Sequence, residues 1–418
     1  MSLERLEALR QDMKKCVRCS LCKLIPLPTI QQTRFISACP PVDEYHFHAY
    51  SGGGINIMAL SLLDGRVKVD EDLARIVSAC TTCGMCDVAC KFIMAAERQE
   101  VILALKEHIV RAGLGITPTE ERTQKSVFWA DGLNLKTLSE EKSNVLLFVG
   151  AGANYNPQHA ISARKLAQIL QYARVNFGIL EGEEPTSGIE AYWTGQHQEF
   201  SKTAHQVTER LNKARTKIIV TLSGEDLGML RSKYSKFGYT IKAKVLHASE
   251  YLWFLIRKHK LRLTHPIQQH ASYHDPCYLG RQSEPIQPWK GEERQTHGVM
   301  RYFKPPKPIN YGVKGVFDAP RKVLRAIPGL DFIEMHRIRE YSYCCGGGGG
   351  VPIAHPNVAK SAAQQRIEEA RDVGAELLVT ACQHCLQNLS HSQEDPVLPV
   401  VDLVDIVYEA TGLESNDE

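Results

Sequence analysis

The sequence predicts a multi-domain protein of α+β and α/β class, in which an α-helical N-terminal domain precedes two pseudo-repeated α/β units with parallel sheets. Three observations predict this. Eight of the 13 cysteines lie in the first quarter of the chain at short spacings. From Asn144 onward, apolar β-branched runs alternate with amphipathic helical stretches. The order of motifs in residues 143–264 then recurs in residues 265–418. We therefore expect the N-terminal domain at 1–113 and a linker at 114–142.

The composition is that of an ordinary soluble protein, with 43% hydrophobic and 23% charged residues. The net charge of +3 comes without a basic run that carries aromatic residues, which argues against nucleic-acid binding. The start of the chain is charged and does not resemble a secretory signal. The longest apolar run, at 145–152, is far shorter than the about 20 residues of a membrane helix. We expect a cytoplasmic protein that is peripheral to a membrane at most through a partner.

The cysteine count favours metal ligation over disulfides. Thirteen is an odd number, no secretion signal is present, and the thiols cluster at short spacings. Disulfides form in oxidising compartments and in pairs. We therefore expect these thiols to bind metal in a reducing cytoplasm.

The N-terminal domain is expected to be helical around two cysteine runs. Apolar residues at helical spacing predict helices over 3–13, 55–63 and 97–112. The cysteines stand between them, as Cys16-x2-Cys19-x2-Cys22, then Cys39-Pro40, then Cys80-x2-Cys83-x2-Cys86 with Cys90. This arrangement resembles a two-cluster ferredoxin, whose tight loops each offer three thiolates to one cubane.

In two-cluster ferredoxins the last cysteine of each run ligates the other cluster. The resemblance therefore implies one [4Fe–4S] cluster on Cys16, Cys19, Cys22 and Cys90, and a second on Cys39, Cys80, Cys83 and Cys86. Lys91 stands where such motifs carry a second proline. Zinc is the alternative, but it needs only two C-x2-C pairs and leaves the third cysteine of each run unused.

The middle of the chain reads as an α/β unit. Strands are predicted at 145–150, 175–180 and 217–222, with helices at 158–172 and 200–214 between them. The glycines after the first strand lack the third glycine and the acidic residue of a dinucleotide site. We expect no flavin or NAD on this chain.

The last part of the chain repeats this order with thiols added. A strand at 271–274 leads into Cys277, a helix is predicted at 357–372, and a strand at 375–380 leads into Cys382 and Cys385. An insertion at about 282–313 is expected to form a surface excursion. The positions in the first unit that correspond to the thiols are Ala151, Thr186, Ser187, Ser223 and Asp226.

The motifs His274-Asp275-Pro276-Cys277, Cys344-Cys345-Gly346 and Cys382-x2-Cys385 resemble the cysteine-rich CCG domain of heterodisulfide reductase B and D subunits. Behind a two-cluster ferredoxin domain they resemble D-type subunits and their relatives. These relatives include the heterodisulfide-reductase-like subunit of class II benzoyl-CoA reductase complexes. The resemblance implies a non-cubane [4Fe–4S] cluster on Cys277, Cys344, Cys345, Cys382 and Cys385. Zinc, an ordinary cubane and a bare dithiol are the alternatives.

The resemblance implies an iron–sulfur electron-transfer subunit of a multi-subunit, anaerobic oxidoreductase complex. Because the first α/β unit lacks cysteines, a second non-cubane cluster is missing, which favours an electron relay over heterodisulfide cleavage. The expected partners are other redox subunits, namely a flavoprotein, a hydrogenase-like module or a quinone or cytochrome subunit. The alternatives are a catalytic disulfide reductase and a structural zinc scaffold, and no catalytic residue is assigned. His274, Arg281 and His384 stand near these thiols, where solvated or packed side chains are the alternative interpretation.

Overall fold

The computed structural model describes residues 2–30, 32–116, 128–139, 141–287, 289–296, 300–394 and 397–413. Its N-terminal part is helical, as the sequence predicts. The helices are α1 (Ser2–Ala8), α2 (Arg10–Lys14), α3 (Pro40–Tyr45), α4 (Gly52–Leu63), α5 (Glu71–Ser78), α6 (Met85–Met94) and α7 (Arg98–Arg111).

Side-chain caps fix where the helices of this domain begin. The hydroxyl of Ser51 accepts a hydrogen bond from the amide of Gly54 at 3.0 Å, and α4 therefore begins three residues before the predicted start. Asp70 caps α5 in the same way, through the amide of Leu73 at 2.8 Å. The predicted opening helix is two helices, because the amide of Leu9 bonds the carbonyl of Leu6, a tighter spacing than the α-helical one.

The first α/β unit is built on one parallel sheet. Along the chain it comprises β1 (Val145–Phe148), α8 (Pro157–Tyr172), β2 (Phe177–Gly178), α9 (Ile189–Thr194), α10 (His197–Lys213), β3 (Ile218–Thr221), α11 (Gly224–Gly228), α12 (Tyr234–Lys236), β4 (Lys244–His247) and α13 (Ala248–Arg257). Its strands lie in the order β2-β1-β3-β4. All of these pairings are parallel, as expected for strands joined by helices.

The second α/β unit has its own parallel sheet and an added hairpin. It comprises β5 (His270–Tyr273), the antiparallel hairpin β6 (Glu292–Thr296) and β7 (Met300–Lys304), α14 (Asp318–Leu324), β8 (Asp331–Ile333), α15 (Val351–Ala354), α16 (Pro356–Asp372), β9 (Leu377–Thr380), α17 (Gln383–His391), β10 (Val400–Asp402) and α18 (Leu403–Thr411). The parallel sheet has the order β8-β5-β9-β10. In both sheets, therefore, the order is second, first, third and fourth strand of the unit. The hairpin lies within the expected insertion, of which residues 288 and 297–299 lie outside the described residues.

The strand predicted at 175–180 is the largest departure within the sheets. Only Phe177–Gly178 pairs with β1. Beyond it, Ile179 pairs instead with the segment around Thr137, and a Cβ on Gly178 would lie 2.8 Å from the Leu138 side chain. The described end of the expected linker is therefore packed along the sheet edge. Residues 117–127 and 140 of that linker lie outside the described residues.

The loops after the strands of the two sheets meet at their carboxyl ends. Gly224, directly after β3, lies so close to the second unit that a Cβ there would be 2.8 Å from Leu279 Cβ and 3.3 Å from the Ala381 carbonyl. Leu279 follows β5 and Ala381 follows β9. Crevices at the carboxyl ends of strands are where α/β sheets place ligands. Among the described residues, no helix has both the length and the apolar character needed to cross a membrane.

Candidate metal centres

The two cysteine runs of the helical domain have the same backbone shape. Arg18 and Ser20 in the first run have φ values of 59° and 67°, and Thr82 and Gly84 at the same places in the second run have 53° and 74°. Left-handed residues turn the chain sharply. Each run therefore curls its three cysteines around one point, which is what three ligands of one cluster require.

The fourth cysteine of each predicted set lies near at least one cysteine of its run. Burial raises the pKa of Cys22, and the neighbouring Cys16 and Cys19 raise it further. Burial also raises the pKa of Cys90, to which Cys22 adds. Cys90, which follows the second cysteine run in the sequence, therefore lies beside the first run in the structure.

The second predicted set is gathered in the same crossed way. Burial raises the pKa of Cys39 well above its ordinary value, and the next contributors are Cys80 and Cys83. The pKa of Cys86 is raised by burial and Asp87, and then by Cys80 and Cys83. The structure thus brings together the residues of both sets. Their ligation of clusters stays a prediction.

The five cysteines of the C-terminal part come from three loops of the second α/β unit. Cys277 follows β5, Cys344 and Cys345 open the glycine loop, and Cys382 and Cys385 stand at the start of α17. The Sγ atoms of Cys345 and Cys385 are 3.1 Å apart. Cys277 is partly buried, and the other four are 2–3% exposed. Buried thiols that converge in this way fit an iron–sulfur cluster or a thiolate zinc site.

Backbone amides of the glycine loop point at the paired thiols. The amides of Gly346 and Gly347 donate to Sγ of Cys344 and Cys345, each at 3.4 Å. Gly346 has a φ of 88°, and a Cβ there would lie 2.6 Å from the Ala359 carbonyl. Only glycine permits this turn and this approach. Amide donors to ligand sulfurs stabilise negative charge at the site.

The thiols of this site differ in acidity. Hydrogen bonds from Cys344 and Cys385 hold the pKa of Cys345 well below its ordinary value. Burial raises the pKa of Cys385 and Cys382 well above the ordinary value. The hydrogen bond to Cys344, together with burial, does the same for Cys277. Cys345 is therefore the thiol of this set whose thiolate form its neighbours favour most.

Two histidines adjoin the five thiols. A ring nitrogen of His274 lies within 4.8 Å of the sulfurs of Cys345 and Cys385. The Nε of Arg366 donates to His274 Nδ1 at 3.2 Å, and burial lowers the pKa of His274 well below its ordinary value. His384, between Cys382 and Cys385, is about one-third exposed. Both were singled out from the sequence, and the structure places both beside the site.

Glu225 was missed by the sequence analysis. Its carboxylate belongs to the first α/β unit, yet Oε1 lies 2.7 Å from Cys382 Sγ and 3.3 Å from His384 Nδ1. Burial acts to raise the pKa of Glu225, but the hydrogen bond and charge of His384 outweigh it and bring the pKa to about 2. The only signal in the sequence was its place between Ser223 and Asp226, which the predicted repeat aligns with Cys382 and Cys385.

The helical domain and the C-terminal site meet at Cys83 and Cys344. The two side chains pack in one buried cluster, and a hydrogen bond to Cys344 is the main cause that raises the pKa of Cys83. Arg281, 7% exposed, donates from Nε to the Cys83 carbonyl at 2.7 Å and from Nη1 to the Ser342 carbonyl at 2.8 Å. Its Nη2 has no hydrogen-bond partner among the described residues.

A lysine ties the same two parts together from the other side. Lys106 Nζ donates to the Cys80 carbonyl at 2.9 Å and to the Gly349 carbonyl at 3.3 Å. Burial lowers the pKa of Lys106 to about 8. A Cβ on Gly349 would lie 2.5 Å from the Cys80 carbonyl. The glycine loop is therefore packed directly against the second cysteine run.

The first α/β unit has buried acids, among them Asp226, which the predicted repeat aligns with Cys385. Asp226 is buried against Gly150, whose added Cβ would lie 2.6 Å from Oδ2. Burial raises the pKa of Asp226 to about 8 and that of Glu184 to about 7. The amides of Val149 and Gly150 donate to Glu184 Oε2 at 2.7 and 2.8 Å. With these acids partly or largely protonated at pH 7 and no cysteine in residues 143–264, this unit does not repeat the thiol site.

Two family profiles match the chain. Residues 12–92 match the 4Fe-4S dicluster domain, and this stretch contains all eight cysteines of the two runs. Residues 307–390 match the cysteine-rich domain named CCG. That match contains Cys344, Cys345, Cys382 and Cys385, whereas Cys277 precedes it.

Three curated relatives align with most of this chain. It is 28% identical to the D-type chain of the dihydromethanophenazine:CoB–CoM heterodisulfide reductase of Methanosarcina barkeri, over 97% of this chain and 95% of that one. It is 29% identical to the same chain of the Methanosarcina mazei enzyme, over 82% and 80%. The probable iron-sulfur-binding oxidoreductase FadF of Bacillus subtilis is 28% identical over 82% of this chain, which spans about half of FadF (47%). The predicted resemblance to heterodisulfide reductase D-type subunits is confirmed.

Proposed function

Because the chain carries a 4Fe-4S dicluster domain joined to a cysteine-rich domain and resembles heterodisulfide reductase D-type subunits, we propose that it is an electron-transfer subunit. It passes electrons between the two cubane clusters of the helical domain, a C-terminal cluster and other redox subunits of one complex. Iron–sulfur clusters supply one-electron oxidation and reduction. We place this complex in anaerobic metabolism in the cytoplasm.

The contact of Cys83 with Cys344 carries this proposal. Cys83 belongs to the proposed second cubane set, and Cys344 to the C-terminal set. Ligands of two centres that touch leave no room for solvent or a mobile carrier between them. Arg281 and Lys106 hold this junction closed through carbonyls on both sides.

We propose that Cys277, Cys344, Cys345, Cys382 and Cys385 hold a non-cubane [4Fe–4S] cluster. Two adjacent cysteines do not easily cap two corners of one cubane, and the Cys344–Cys345 pair is adjacent. Five thiols also exceed the four ligands of a closed zinc site. Zinc is the alternative occupant of this centre.

We propose further that the two α/β units are copies of one ancestral unit, of which only the second kept its thiols. The identical strand order of the two sheets supports this. So does the placement of Ser223 and Cys382, each of which caps the helix that follows the third strand of its unit. The chain then has one C-terminal cluster where two facing clusters would split a disulfide between them, which favours the relay.

A redox partner is proposed to dock at the first cysteine run. Cys19 is exposed, unlike the other twelve cysteines. Three of the most exposed large apolar side chains lie near the proposed ligands of the first cubane. They are Val17, which is 64% exposed, Phe47 at 62% and Phe92 at 80%. His48, next to Phe47, lies beside Cys22, because a Cβ on Gly53 would contact both side chains. Exposed apolar groups around a redox centre indicate an interaction surface.

The charge of this surface selects an acidic redox partner. Arg18 and Lys23 both act, after burial, to lower the pKa of His48 and so lie near it. Neither forms an ion pair within the part of the chain that the structure describes. Their free charge complements a flavoprotein with an acidic face, and such complementarity mainly raises the rate of association.

Charge reversal should slow electron entry from a protein donor. We expect Arg18→Glu with Lys23→Glu to lower the rate of reduction by reduced flavodoxin about tenfold or more at low salt. Reduction by dithionite, a small anion that needs no docking surface, should stay within about twofold. Stopped-flow absorbance measures both rates. Arg66→Glu, an exposed arginine that pairs with Asp64, is the control. A flavodoxin rate that is equal in both variants would contradict the docking site.

The relay itself is tested by the route that electrons take. We expect flavodoxin to reduce the C-terminal cluster in the whole chain but not in a Cys19→Ala variant, whose first cubane is lost, as followed by freeze-quench electron paramagnetic resonance. Dithionite should still reduce the C-terminal cluster in that variant. Equal reduction by flavodoxin in both proteins would show that the cubanes are not on the route.

A catalytic disulfide reductase is the second candidate, because two of the three relatives named above are subunits of heterodisulfide reductases. The burial of Cys344, Cys345, Cys382 and Cys385 at 2–3% exposure weighs against it, since a disulfide has to reach the centre. A paramagnetic state induced by adding thiols to the oxidised protein would favour the reductase. An unchanged spectrum would favour the relay.

A further inference from the structure

We propose that Glu225 is an oxygen ligand of the C-terminal metal centre, supplied by the first α/β unit to the thiols of the second. This rests on the metal centre of the proposed function. It also assigns a role to the unit that has no thiols. That unit completes the site of its neighbour rather than serving only as a scaffold.

The carboxylate of Glu225 is built into the site. Glu225 is 5% exposed and stands on α11, directly after β3. Its Oε1 lies 2.7 Å from Cys382 Sγ and 3.3 Å from His384 Nδ1. The Ser223 hydroxyl donates to Oε2. Each oxygen therefore has a partner that fixes its direction, as ligating carboxylates require.

The close packing of the two α/β units depends on Gly224, the residue before Glu225. A Cβ on Gly224 would lie 2.8 Å from Leu279 Cβ and 3.3 Å from the Ala381 carbonyl. A larger residue would push the two turns apart, because packed backbone does not yield. With glycine there, the turn that bears Glu225 sits against the turn that bears Cys382. The short carboxylate-to-sulfur distance is therefore set by packing between the units.

A metal ion is what makes this pair of groups compatible. In a metal-loaded centre Cys382 is a thiolate, since the thiolate is the ligand form. Two buried anions in contact are costly unless a cation lies between them. His384 Nδ1 reaches the same carboxylate oxygen, but its ring is partly exposed and its Nε2 lies 3.9 Å from Glu190 Oε1, so its charge is shared between two carboxylates. The cation shared by Cys382 and Glu225 is then the metal itself.

The distances allow shared ligation with a small adjustment. A thiolate at about 2.3 Å and a carboxylate oxygen at about 2.1 Å from one tetrahedral ion are about 3.5 Å apart. The observed separation is 2.7 Å. A shift of about 0.8 Å is within the reach of two side-chain torsions. No movement of the backbone is needed.

The ligand chemistry gives a direct readout. One iron bound by carboxylate oxygen has a larger Mössbauer isomer shift than irons bound by sulfur alone, because oxygen is the harder donor. We expect the holoprotein, prepared anaerobically with isotopically enriched iron, to show such a subsite as about one of about twelve irons. It should be absent from Glu225→Gln, whose neutral amide keeps the shape and the Ser223 contact, and from Glu225→Ala.

The matched control is Glu184→Gln. Glu184 is a buried carboxylate of the same unit, and its hydrogen bonds go to backbone amides of that unit. This variant should keep the oxygen-bound subsite. If zinc occupies the centre, X-ray absorption at the zinc edge should show one oxygen neighbour in the wild type and none in Glu225→Gln.

The outcomes separate this inference from the proposed function. Identical spectra for wild type and Glu225→Gln, at equal metal content, would overturn the role of Glu225 and leave the relay standing. A wild-type protein with about eight irons and no other metal would instead remove the C-terminal centre, and the relay with it. An oxygen-bound iron that persists in both Glu225 variants would assign that ligand to another group and overturn the inference.

Discussion

Cys345→Ala should lower the iron content from about twelve to about eight per chain, because the variant loses the C-terminal cluster and keeps both cubanes. Cys345 lies at the centre of the site. Its Sγ is 3.1 Å from that of Cys385, the Gly347 amide donates to it, and hydrogen bonds from Cys344 and Cys385 make it the most acidic thiol of the set. Removing Cys345 leaves four thiols without the one that contacts both Cys344 and Cys385.

Iron and zinc analysis of protein purified without oxygen measures this effect, and electron paramagnetic resonance shows which signals remain. Cys16→Ala is the reciprocal variant, which should lose about four irons from the first cubane and keep the C-terminal cluster. Unchanged iron in Cys345→Ala would contradict the five-thiol centre. About eight irons with one zinc in the wild type would replace the third cluster by zinc.

Arg281→Met should destabilise the folded protein by about 3–5 kcal/mol, measured as the free energy of unfolding in urea. Arg281 donates to the carbonyls of Cys83, Glu340 and Ser342, and it is 7% exposed. Hydrogen bonds from charged donors contribute about 1.5–3 kcal/mol each. Methionine leaves the carbonyls of Cys83 and Ser342, which are buried, and that of Glu340, which is partly buried, without this donor. The helical domain should loosen from the glycine loop before the rest of the chain unfolds.

Arg281→Met should also make the clusters next to Arg281 harder to reduce. Burial acts to lower the pKa of Arg281, but the sulfurs of Cys83, Cys277 and Cys344 raise it. The guanidinium therefore lies beside the sulfurs that would carry the added negative charge of a reduced cluster. Without this cation, the ratio of reduced to oxidised C-terminal cluster at a fixed potential should fall about tenfold or more, which is about 59 mV for a one-electron couple.

Arg281→Lys is the control, because it keeps the charge and loses the fork of donors. Arg281→Lys should lower the free energy of unfolding but leave most of the reduction potential of the C-terminal cluster unchanged. A potential that falls equally in the lysine and methionine variants would contradict a role for the charge. Full stability in Arg281→Met would contradict the role of the three carbonyl contacts.

The sequence predicted the parts of this molecule that local pattern determines. The two cysteine runs, the strands β1, β3 and β9, and helices such as α7 and α16 each follow from spacing or apolar periodicity within a short stretch. The two parallel sheets also share one strand order, whereas the repeat of the two units stays a prediction. The mixed class of helices and parallel sheets was therefore accessible from composition and spacing, whereas metal ligation by these thiols stays a prediction.

The side chains that connect separate domains could not be predicted from local sequence patterns. Glu225 meets a thiol 157 residues away, and Lys106 meets a carbonyl 243 residues away. Apart from the place of Glu225 between Ser223 and Asp226, nothing in the local sequence of either residue distinguishes it from a solvated side chain. The predicted strand at 175–180 was wrong beyond Gly178 for a related reason, since Ile179 pairs with Thr137 rather than with the sheet. Contacts between separated segments decide these features.

The glycine loop also constrains how the protein is assembled. Gly348 and Gly349 lie against Thr81 and Cys80 with no space for a Cβ on Gly349, and the thiols behind them are 2–3% exposed. If these thiols hold the proposed cluster, we expect iron to reach them before the helical domain closes over the loop. The C-terminal site would then be loaded while the chain is open, and a lost cluster would be replaced only after the junction at Cys83 and Cys344 has been reopened.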